Sequence, residues 1–279
     1  MGIMDPVRKL LSGNSAVKSM VVSVLNRQGY YNITGLDAIR HIEDFRANSG
    51  EVMARSRAQT PADVEALRKK YEEPIFGEMS IYRLLELQAQ VIDPTNLYLY
   101  CGSQLTHTLQ IMESMEEAGV DDRELLATTL IHDLGKLAVF KGEKWENIEG
   151  GGKFPIGDDN RPGAGLANCT FKWDHADIVH ARLAPYVSKD MQWLLRWHSI
   201  QTPCEPYMDA HDRSLYEKYF KTFVRHDRTF IFYHLPKKRL DDYVGLIEEF
   251  FPKTVLFCLS MLAPLGLFAD ELSLAAAVL

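Results

Sequence analysis

The sequence lacks the features that mark several common classes of protein. It has only four cysteines, which lie far apart and form no CxxC pair, so neither a disulfide framework nor a thiolate metal site is expected. Its 31 Lys and Arg residues are outnumbered by 38 Asp and Glu residues, and the net charge of −7 argues against a nucleic-acid or anionic-membrane partner. These absences favour a reduced, cytoplasmic protein.

Long apolar runs are missing as well. The longest extends from Thr254 to Ala269, but Ser260, Pro264 and Gly266 interrupt it, and it is too short to span a bilayer. The first twenty residues have no continuous apolar core, and we therefore expect no secretion signal. We expect the apolar C-terminal segment to pack on the folded domain, with an exposed docking surface as the alternative.

What is present is typical of a helical globular protein. Hydrophobic residues make up 46% of the chain and charged residues 25%, which is enough apolar material to bury a substantial core. Apolar residues recur at helical spacing and predict helices over stretches that include Leu105 to Met115, Leu125 to Leu137, Phe171 to Leu183, Tyr216 to Phe223 and Leu240 to Phe250. Thr60, followed by Pro61 and Asp63, predicts a further helix start. No linker rich in Pro, Gly or Ser divides the chain. We predict one all-α domain over residues 40–257, an N-terminal extension over 1–39, and the apolar C-terminal segment over 258–279.

One long stretch without a helical pattern runs from Gly142 to Asn168. It contains three consecutive glycines at 150–152, together with Pro155 and Pro162. Because a loop of this length inside a compact domain is usually functional, we expect it to form a lid or a wall over a binding site.

Six polar residues occupy positions where a helix would place apolar side chains, so they are expected to point inward. They are His107, His132, Asp133, His175, His198 and Asp227. Taken alone, each histidine is more simply a core residue that makes a local hydrogen bond. Taken together, six unpartnered groups at about 1 to 3 kcal/mol each would rival a domain stability of about 5 to 15 kcal/mol, so they must satisfy one another.

Shared metal ions are the simplest way for these side chains to do so. Imidazole and carboxylate ligands suit divalent iron, manganese or zinc, and the ligand types alone do not separate iron from manganese. His132 and Asp133 are adjacent and would project about 100° apart on a helix, so one ion cannot easily bind both. Asp133 can instead offer one oxygen to each of two ions, which predicts a dinuclear centre.

The order and spacing of these residues resemble those of a known family. His107, the adjacent His132 and Asp133, and Asp227 resemble the HD-domain superfamily of helical metal-dependent proteins, which includes many phosphohydrolases. Over roughly residues 40–257 the chain resembles the myo-inositol oxygenase family more closely. The motifs that carry this resemblance are DFRANSGE (44–51), DPTN (93–96), HTLQ (107–110), LIHDLGKLAVF (130–140), GGGKFPIG (150–157), WDHADIVH (173–180), RWHS (196–199) and FVRHD (223–227).

The resemblance implies an HD-domain helical bundle with a centre of two iron ions, one Fe(II) and one Fe(III), bridged by Asp133. The implied ligands are His107, His132 and Asp227 for one iron, and His175 and His198 for the other. In that family the substrate chelates the second iron. Dioxygen, the co-substrate, binds the first iron. Abstraction of a C–H hydrogen then leads to ring cleavage in a four-electron oxidation that needs no external reductant.

Lys136 is expected to contact the substrate. It lies four residues after His132 and therefore on the same helix face, where its ammonium would polarise a substrate oxygen. The alternative is a solvent-facing lysine near the end of the helix. The resemblance implies further substrate contacts at Arg46, Asp93, Gly151, Gly152 and Ser199. For Asp93 a helix-capping role is the alternative, because its spacing before His107 differs from the family's.

Two positions depart from the family pattern and bear on the substrate. The family has an aspartate that grips inositol hydroxyls where Gly152 stands, and a lysine where Ile231 stands. A site built to hydrogen-bond hydroxyl groups discriminates strongly through those groups. The loss of an anion and a cation therefore predicts an oxygenated small molecule other than myo-inositol as the substrate.

Two other functions are compatible with the sequence. A metal-dependent phosphohydrolase on the same fold would need basic residues converging on the site, and Lys136, Lys153 and Arg161 are the candidates. A non-catalytic module that uses metal only to hold its core together would require neither the glycine-rich loop nor an inward lysine.

His211 lies between Asp209 and Asp212 and would be the centre of a second metal cluster. A short acidic connection before a helix explains these three residues without metal. The expected partner of the chain is its small-molecule substrate alone, and a monomer is compatible with the sequence.

Overall fold

Helices dominate the computed structural model, which describes residues 50–72, 77–91, 103–149, 151–158, 160–200, 204–227 and 236–257. Residues 50–57 are helical. The α-helices that follow are α1 (Pro61–Lys70), α2 (Ile81–Gln88), α3 (Gln104–Glu117), α4 (Arg123–Ile131), α5 (Trp145–Ile148), α6 (His175–Leu183), α7 (Lys189–Trp197), α8 (Ala210–Leu215), α9 (Lys221–Asp227) and α10 (Val244–Phe250). 3-10 helices lie at Leu134–Lys141, Leu166–Asn168, Ala184–Tyr186, Glu205–Tyr207 and Leu240–Tyr243, and a π-helical turn lies at Tyr216–Phe220.

Polar caps fix the helix starts that matter for the site. The Thr60 side chain accepts a hydrogen bond from the backbone N–H of Asp63, and the Asp63 carboxylate accepts one from the backbone N–H of Thr60. This capping box confirms the helix start predicted at Thr60. Asp174 and Asp177 form the same box at the start of α6 and place His175 at its first helical position.

The chain changes conformation at His132 and Asp133, where the sequence predicts one continuous helix from Leu125 to Leu137. Helix α4 ends at Ile131, Asp133 has φ −97° and ψ 7°, and a 3-10 helix begins at the next residue. The prediction of a continuous helix was wrong for a local reason. Nδ1 of His132 lies 2.7 Å from the carbonyl oxygen of Thr129, which is the acceptor that a continuing α-helix would offer to the Asp133 N–H.

This junction changes the position of Lys136. Its backbone N–H donates to the Asp133 carbonyl at 3.0 Å, as in a 3-10 turn, and its Nζ lies 3.0 Å from Oδ2 of Asp133. Residues three apart eclipse one another in a 3-10 helix. Lys136 therefore lies beside Asp133, rather than one α-helical turn after His132 as predicted.

The same junction brings the 3-10 helix against the start of α6. A Cβ atom on Gly135 would collide with the backbone carbonyl of His175, so only glycine permits this approach. The close contact brings Asp133 and His175, which come from separate elements, to the same place.

Three other predicted helices differ in their starts or in their type. The helix predicted from Phe171 begins only at His175, because Phe171 forms an antiparallel bridge with Pro155. The segment Tyr216–Phe220 is π-helical before α9, and Leu240–Tyr243 is a 3-10 helix before α10.

The stretch from Gly142 to Asn168 is largely irregular in its described residues, as predicted, although α5 and a short 3-10 helix lie within it. Lys153 pairs in a parallel bridge with Ile200, which follows α7, and Pro155 pairs with Phe171, which precedes α6. These bridges hold the glycine-rich part of the stretch against the two elements that carry His175 and His198.

One main apolar core joins most of the described helices. Leu109 of α3, Leu130 of α4, Leu194 of α7 and Phe223 of α9 are all buried in it, and a smaller cluster that includes Val64 lies under α1. The strands in the described part of the chain are β1 (Glu78–Met79) and β2 (Val255–Leu256), paired antiparallel. The all-α class is confirmed.

Two further expectations concern the division of the chain into parts and the absence of a membrane span. Residues 1–39 and 258–279 lie outside the described residues, so the division into an extension, one domain and a C-terminal segment stays a prediction. Within the described part, no helix combines the length and apolarity that crossing a membrane requires.

Candidate metal centre

The six inward His and Asp residues converge on one place inside the helical core. His107 comes from the first turn of α3, while the other five stand at the ends of helices. His132 and Asp133 follow α4, His175 begins α6, His198 follows α7, and Asp227 is the last residue of α9. The four histidines and Asp133 are buried, and Asp227 is partly buried.

One oxygen of Asp133 faces the first group of side chains. Its Oδ2 lies 3.2 Å from Nε2 of His132 and 3.8 Å from Nε2 of His107. Oδ1 of Asp227 completes the group, at 3.2 Å from Nε2 of His107 and 3.8 Å from Nε2 of His132. Ligand atoms of His107, His132 and Asp133 all lie within 4.8 Å of one another, which suits one metal ion.

The other oxygen of Asp133 faces a second group. Its Oδ1 lies 3.0 Å from Nε2 of His175 and 3.7 Å from Nε2 of His198, and the two Nε2 atoms are 2.9 Å apart. These three residues also offer ligand atoms within 4.8 Å of one another. The two groups therefore share a single carboxylate, with one oxygen turned to each.

The histidine rings are oriented by backbone carbonyls. Nδ1 lies 2.7 Å from the Thr129 oxygen in His132 and 2.9 Å from the Leu195 oxygen in His198. Nδ1 of His175 lies 2.8 Å from the Ile148 oxygen. Because a carbonyl can only accept, each Nδ1 carries a proton, and each Nε2 is the nitrogen that faces the centre and can bind metal once it is deprotonated.

The positions of these Nε2 atoms fit metal ions. Nε2 of His132 is buried and has no hydrogen-bond partner among the described residues. The Nε2 atoms of His175 and His198 face each other at 2.9 Å. Two nitrogen ligands in adjacent octahedral positions, each about 2.1 Å from an ion, lie about 3 Å apart. The donor set and its spacing therefore suit divalent cations.

Electrostatics keeps the carboxylates of the centre ionised. Burial alone raises the pKa of Asp133, but the charges of His132, Lys136 and His175 hold it well below its usual value. Burial likewise opposes ionisation of Asp227, and the hydrogen bond from His107 lowers its pKa overall. Both carboxylates are therefore in the form that binds metal.

The second histidine pair is asymmetric in its protonation. Burial lowers the pKa of His198 and favours its neutral form. Burial has the same effect on His175, but the charges of Glu149 and Asp133 outweigh it and raise the pKa of His175 well above its ordinary value. A metal ion at this group would compete with a proton on His175 and release it on binding.

Lys136 points into the centre. It is only 4% exposed, so the solvent-facing alternative does not describe its position. Its Nζ lies 3.0 Å from Oδ2 of Asp133 and 2.9 Å from Oε1 of Glu149, and it donates to Oε1 of Gln104 at 3.3 Å.

The other predicted substrate contacts do not all face the centre or lie within the described residues. The Ser199 hydroxyl lies beside the second group but donates to Oδ2 of Asp174 at 2.6 Å. Gly151 and Gly152 have φ of 87° and 81°, and both precede the bridge that ties the loop to the end of α7. Arg46, Asp93 and Ile231 lie outside the described residues.

Two residues at the centre were missed by the sequence analysis. Gln104 donates through Nε2 to Oδ2 of Asp133. It lies three residues before His107 and therefore on the same helix face, so helical spacing could have predicted that it faces the centre. Glu149 is a buried carboxylate beside Lys136 and His175. It lies in the irregular stretch, where no periodicity predicts its direction.

A buried ionic cluster adjoins the second group. Lys153 is fully buried, with Nζ 3.0 Å from Oδ1 of Asp174 and also bonded to Asp177. Its backbone N–H donates to the Ser199 carbonyl at 2.9 Å. Lys153 thus joins the glycine-rich loop to the start of α6 and the end of α7, and its ammonium points to Asp174 and Asp177.

The acidic residues around His211 serve a helix start. Asp209 and Asp212 form a capping box at the beginning of α8, and the carboxylate of Asp212 also accepts from the Trp193 indole at 2.7 Å. His211 itself is exposed. The geometry thus matches the interpretation of these residues as a connection before a helix.

The described residues form a helical protein with a buried His and Asp centre suited to metal ions. The Myo-inositol oxygenase family model matches residues 50–162. Inositol oxygenase 1 of Arabidopsis thaliana is 28% identical over 245 residues, covering 70% of this chain and 75% of that protein. Probable inositol oxygenase of Oryza sativa subsp. japonica is 26% identical over 246 residues with the same coverage, and Inositol oxygenase 2 of Arabidopsis thaliana is 30% identical over 154 residues, covering 44% of this chain and 48% of that protein.

The family model and these relatives support a myo-inositol oxygenase-like family for this chain. The resemblance that its motifs indicated is confirmed, and the relatives support an oxygenase of that family.

Proposed function

We propose that this chain is a non-heme diiron oxygenase that uses dioxygen to break a C–H and a C–C bond in a small oxygenated substrate. The observation that carries the proposal is the division of one carboxylate between two groups. Oδ2 of Asp133 faces His132 at 3.2 Å, and Oδ1 faces His175 at 3.0 Å. Imidazole and carboxylate donors on both sides of a shared aspartate suit a pair of iron ions.

In this proposal each group would hold one ion, and Asp133 would contribute one oxygen to each. The ligands are His107, His132 and Asp227 for the first ion, and His175 and His198 for the second. These side chains would leave positions on each ion open to a substrate oxygen and to dioxygen. A redox-active iron pair supplies the chemistry that the side chains lack, the reduction of dioxygen coupled to oxidation of carbon. The HD-domain bundle over residues 40–257 is the catalytic unit of the same proposal.

Lys136 orients the substrate in this proposal. Its ammonium lies within hydrogen-bond distance of Oδ2 of Asp133 and is buried, so it can donate to a substrate oxygen bound beside the bridge. A cation in a buried site stabilises developing negative charge on that oxygen more strongly than it would in water. The proton stays on Nζ, and the interaction favours the ionised form of the substrate hydroxyl.

The glycine-rich loop favours a substrate other than myo-inositol. Gly152, with φ 81°, offers no side-chain acceptor where the family places an aspartate for inositol hydroxyls. The neighbouring Gly151 has φ 87°, and a Cβ there would lie 2.9 Å from Cε of Met53. The positive φ therefore favours glycine at both positions, and a substrate hydroxyl loses one partner.

The placement of the basic residues favours the oxygenase over a phosphohydrolase. Of the three candidates to clamp a phosphate, only Lys136 reaches the His and Asp centre. Lys153 is paired with Asp174 and Asp177, and Arg161 is exposed. A buried lysine aimed at the bridge also favours catalysis over a module that uses metal only to hold its core.

Parallel assays of the iron-loaded chain test this proposal. Oxygen consumption is followed with myo-inositol, other polyols and amino alcohols, and phosphate release is followed with phosphomonoesters in the presence of Mg²⁺ or Mn²⁺. We expect iron-dependent oxygen uptake with a polyol-like compound, faster than with myo-inositol, and loss of that uptake in Asp133→Asn. Phosphate release without oxygen uptake would overturn the proposal.

A further inference from the structure

A carboxylate outside the predicted ligand set lies at the centre. Oε1 of Glu149 is 2.9 Å from Nζ of Lys136 and 2.9 Å from Nδ1 of His175. Lys136 belongs to the 3-10 helix and His175 to the start of α6. One oxygen atom thus contacts both the cation that faces the substrate in the proposed function and a residue that holds the second ion there.

The backbone of Glu149 is fixed independently of these two contacts. Its N–H donates to the Trp145 carbonyl at 2.7 Å, which ends α5. Its carbonyl accepts from Oγ of Ser56 at 3.0 Å and from Nζ of Lys172 at 3.4 Å. The residue is 8% exposed. The carboxylate is therefore held in position by its own chain segment, and it can in turn orient the groups that it contacts.

Glu149 changes the properties of His175 as a ligand. The Nδ1–H of His175 has the Ile148 carbonyl at 2.8 Å, and the Glu149 carboxylate is a second, charged acceptor. A carboxylate on the far nitrogen of an imidazole fixes the orientation of the ring and raises the basicity of the nitrogen that binds metal. His132 and His198 have backbone carbonyls at Nδ1, and the additional carboxylate of Glu149 sets His175 apart from both of them.

Glu149 also decides where the donors of Lys136 point. An ammonium has three N–H donors. The acceptors around Nζ include Oδ2 of Asp133 at 3.0 Å, Oε1 of Glu149 at 2.9 Å and Oε1 of Gln104 at 3.3 Å. Among these three contacts, the one to Gln104 is the longest and the only one to an uncharged group. In the proposed function a substrate oxygen replaces Gln104, while Glu149 and Asp133 keep the ammonium in place.

We propose that Glu149 is a positioning residue that couples the second metal group to the substrate cation by holding His175 and Lys136 with one oxygen. The part that concerns the substrate rests on the proposed function. The part that concerns His175 is a statement about metal affinity and holds whatever reaction the centre performs.

The test is a titration of the metal-free chain with Co(II), followed by the visible absorption of the bound ion. Three proteins are compared, the wild type, Glu149→Gln and Glu146→Gln. Glu146 lies in α5 on the same segment, but its carboxylate pairs with Arg55 at 3.0 Å and so provides the matched control. The thermal unfolding of each metal-free protein is measured in parallel, because a merely structural loss would lower the unfolding temperature.

We expect the wild type and Glu146→Gln each to bind two Co(II) ions, and each binding step should have the same affinity in Glu146→Gln as in the wild type. Glu149→Gln should keep the affinity of one Co(II) binding step and lower the affinity of the other about 10- to 100-fold. Removing the hydrogen-bond partner of a metal-bound histidine typically has an effect of this size. Its unfolding temperature should stay close to that of Glu146→Gln. In the active enzyme, the same substitution should raise KM as well as lower kcat.

The outcomes separate this inference from the proposed function. If the wild type binds two ions and Glu149→Gln binds both with unchanged affinity, the role of Glu149 is refuted while the dinuclear centre stands. If the wild type binds one ion only, the dinuclear proposal fails, and the role of Glu149 depends on whether that single step weakens in the variant. Equal weakening of both steps with a lower unfolding temperature would also refute the inference.

Discussion

Oδ1 of Asp133 lies 3.0 Å from Nε2 of His175, and the other oxygen of the same carboxylate is turned to the first group of ligands. The two residues meet because α4 ends before His132 and the chain continues as a 3-10 helix that packs against the start of α6. Gly135 allows that contact, since any Cβ there would meet the His175 carbonyl. The bridge between the two groups thus depends on a backbone junction as well as on the six side chains.

The first prediction concerns Gly135. We expect Gly135→Ala to push the 3-10 helix away from α6 and to separate Asp133 from His175, so that the chain binds one ion in place of two. The metal content of the purified variant, measured by elemental analysis, checks this. Gly245→Ala is the matched control, because nothing lies within 4 Å of a Cβ at that helical position. Two ions in Gly135→Ala would show that the bridge does not need the close contact.

The second prediction concerns Lys136. We expect Lys136→Met to keep both ions but to lower kcat about 100- to 1000-fold, because it removes a buried donor to the charge that develops on the substrate. Steady-state oxygen consumption and metal content, measured on the same preparation, separate catalysis from metal loss. An unchanged kcat with full metal content would exclude Lys136 from the reaction.

The third prediction concerns the buried ionic cluster. Lys153→Met removes the buried cation that pairs with both Asp174 and Asp177, and removing one partner of a buried pair costs about 3 to 5 kcal/mol. Urea unfolding of the metal-free protein measures this loss. Lys69→Met, at an exposed position of α1, should change the free energy of unfolding by less than about 0.5 kcal/mol. Equal stabilities of the two variants would contradict the role assigned to Lys153.

Much of the candidate centre could be predicted from the sequence because its histidines continue apolar stripes. His107 and Leu109 lie in the same buried helix, and His198 ends a helix whose Leu194 is in the core. Helical periodicity shows that such positions face inward, and the high cost of unpartnered buried groups then points to metal. This argument needs no knowledge of how the helices pack.

The parts that could not be predicted depend on irregular backbone or on tertiary contact. The apolar pattern continues through Leu134 and Leu137, so it does not predict the change from α-helix to 3-10 helix at Asp133. Glu149 lies in a stretch without periodicity, so its burial beside Lys136 follows only from the packed structure. The collision at Gly135 likewise becomes visible only when the 3-10 helix meets α6.

The fourth prediction concerns the pH dependence of stability. Burial lowers the pKa of His180 to about 4, and the charge of Arg196 acts in the same direction. An ordinary histidine in the unfolded chain titrates near pH 6.5. Between about pH 6.5 and 4 the unfolded chain therefore binds a proton that the folded chain does not. The contribution of neutral His180 to stability is fully present above pH 6.5 and is lost as the pH falls towards 4.

Urea unfolding of the wild type and His180→Gln between pH 7 and 4.5 tests this. We expect the wild type to lose stability with falling pH more steeply than the variant, by at most about 1.4 kcal/mol per pH unit for one proton. His211→Gln, which changes an exposed histidine, should keep the wild-type slope. Equal slopes in wild type and His180→Gln would show that His180 titrates normally.

The most direct test of the central claim is Mössbauer and EPR spectroscopy of protein that is loaded with iron without oxygen and then partly oxidised. A carboxylate that bridges two groups predicts two irons per chain with a magnetically coupled Fe(II)/Fe(III) signal, which shifts when a substrate polyol is added. Asp133→Asn should lose the coupling. One iron per chain, or two irons that remain magnetically independent in the wild type, would contradict a centre bridged by Asp133.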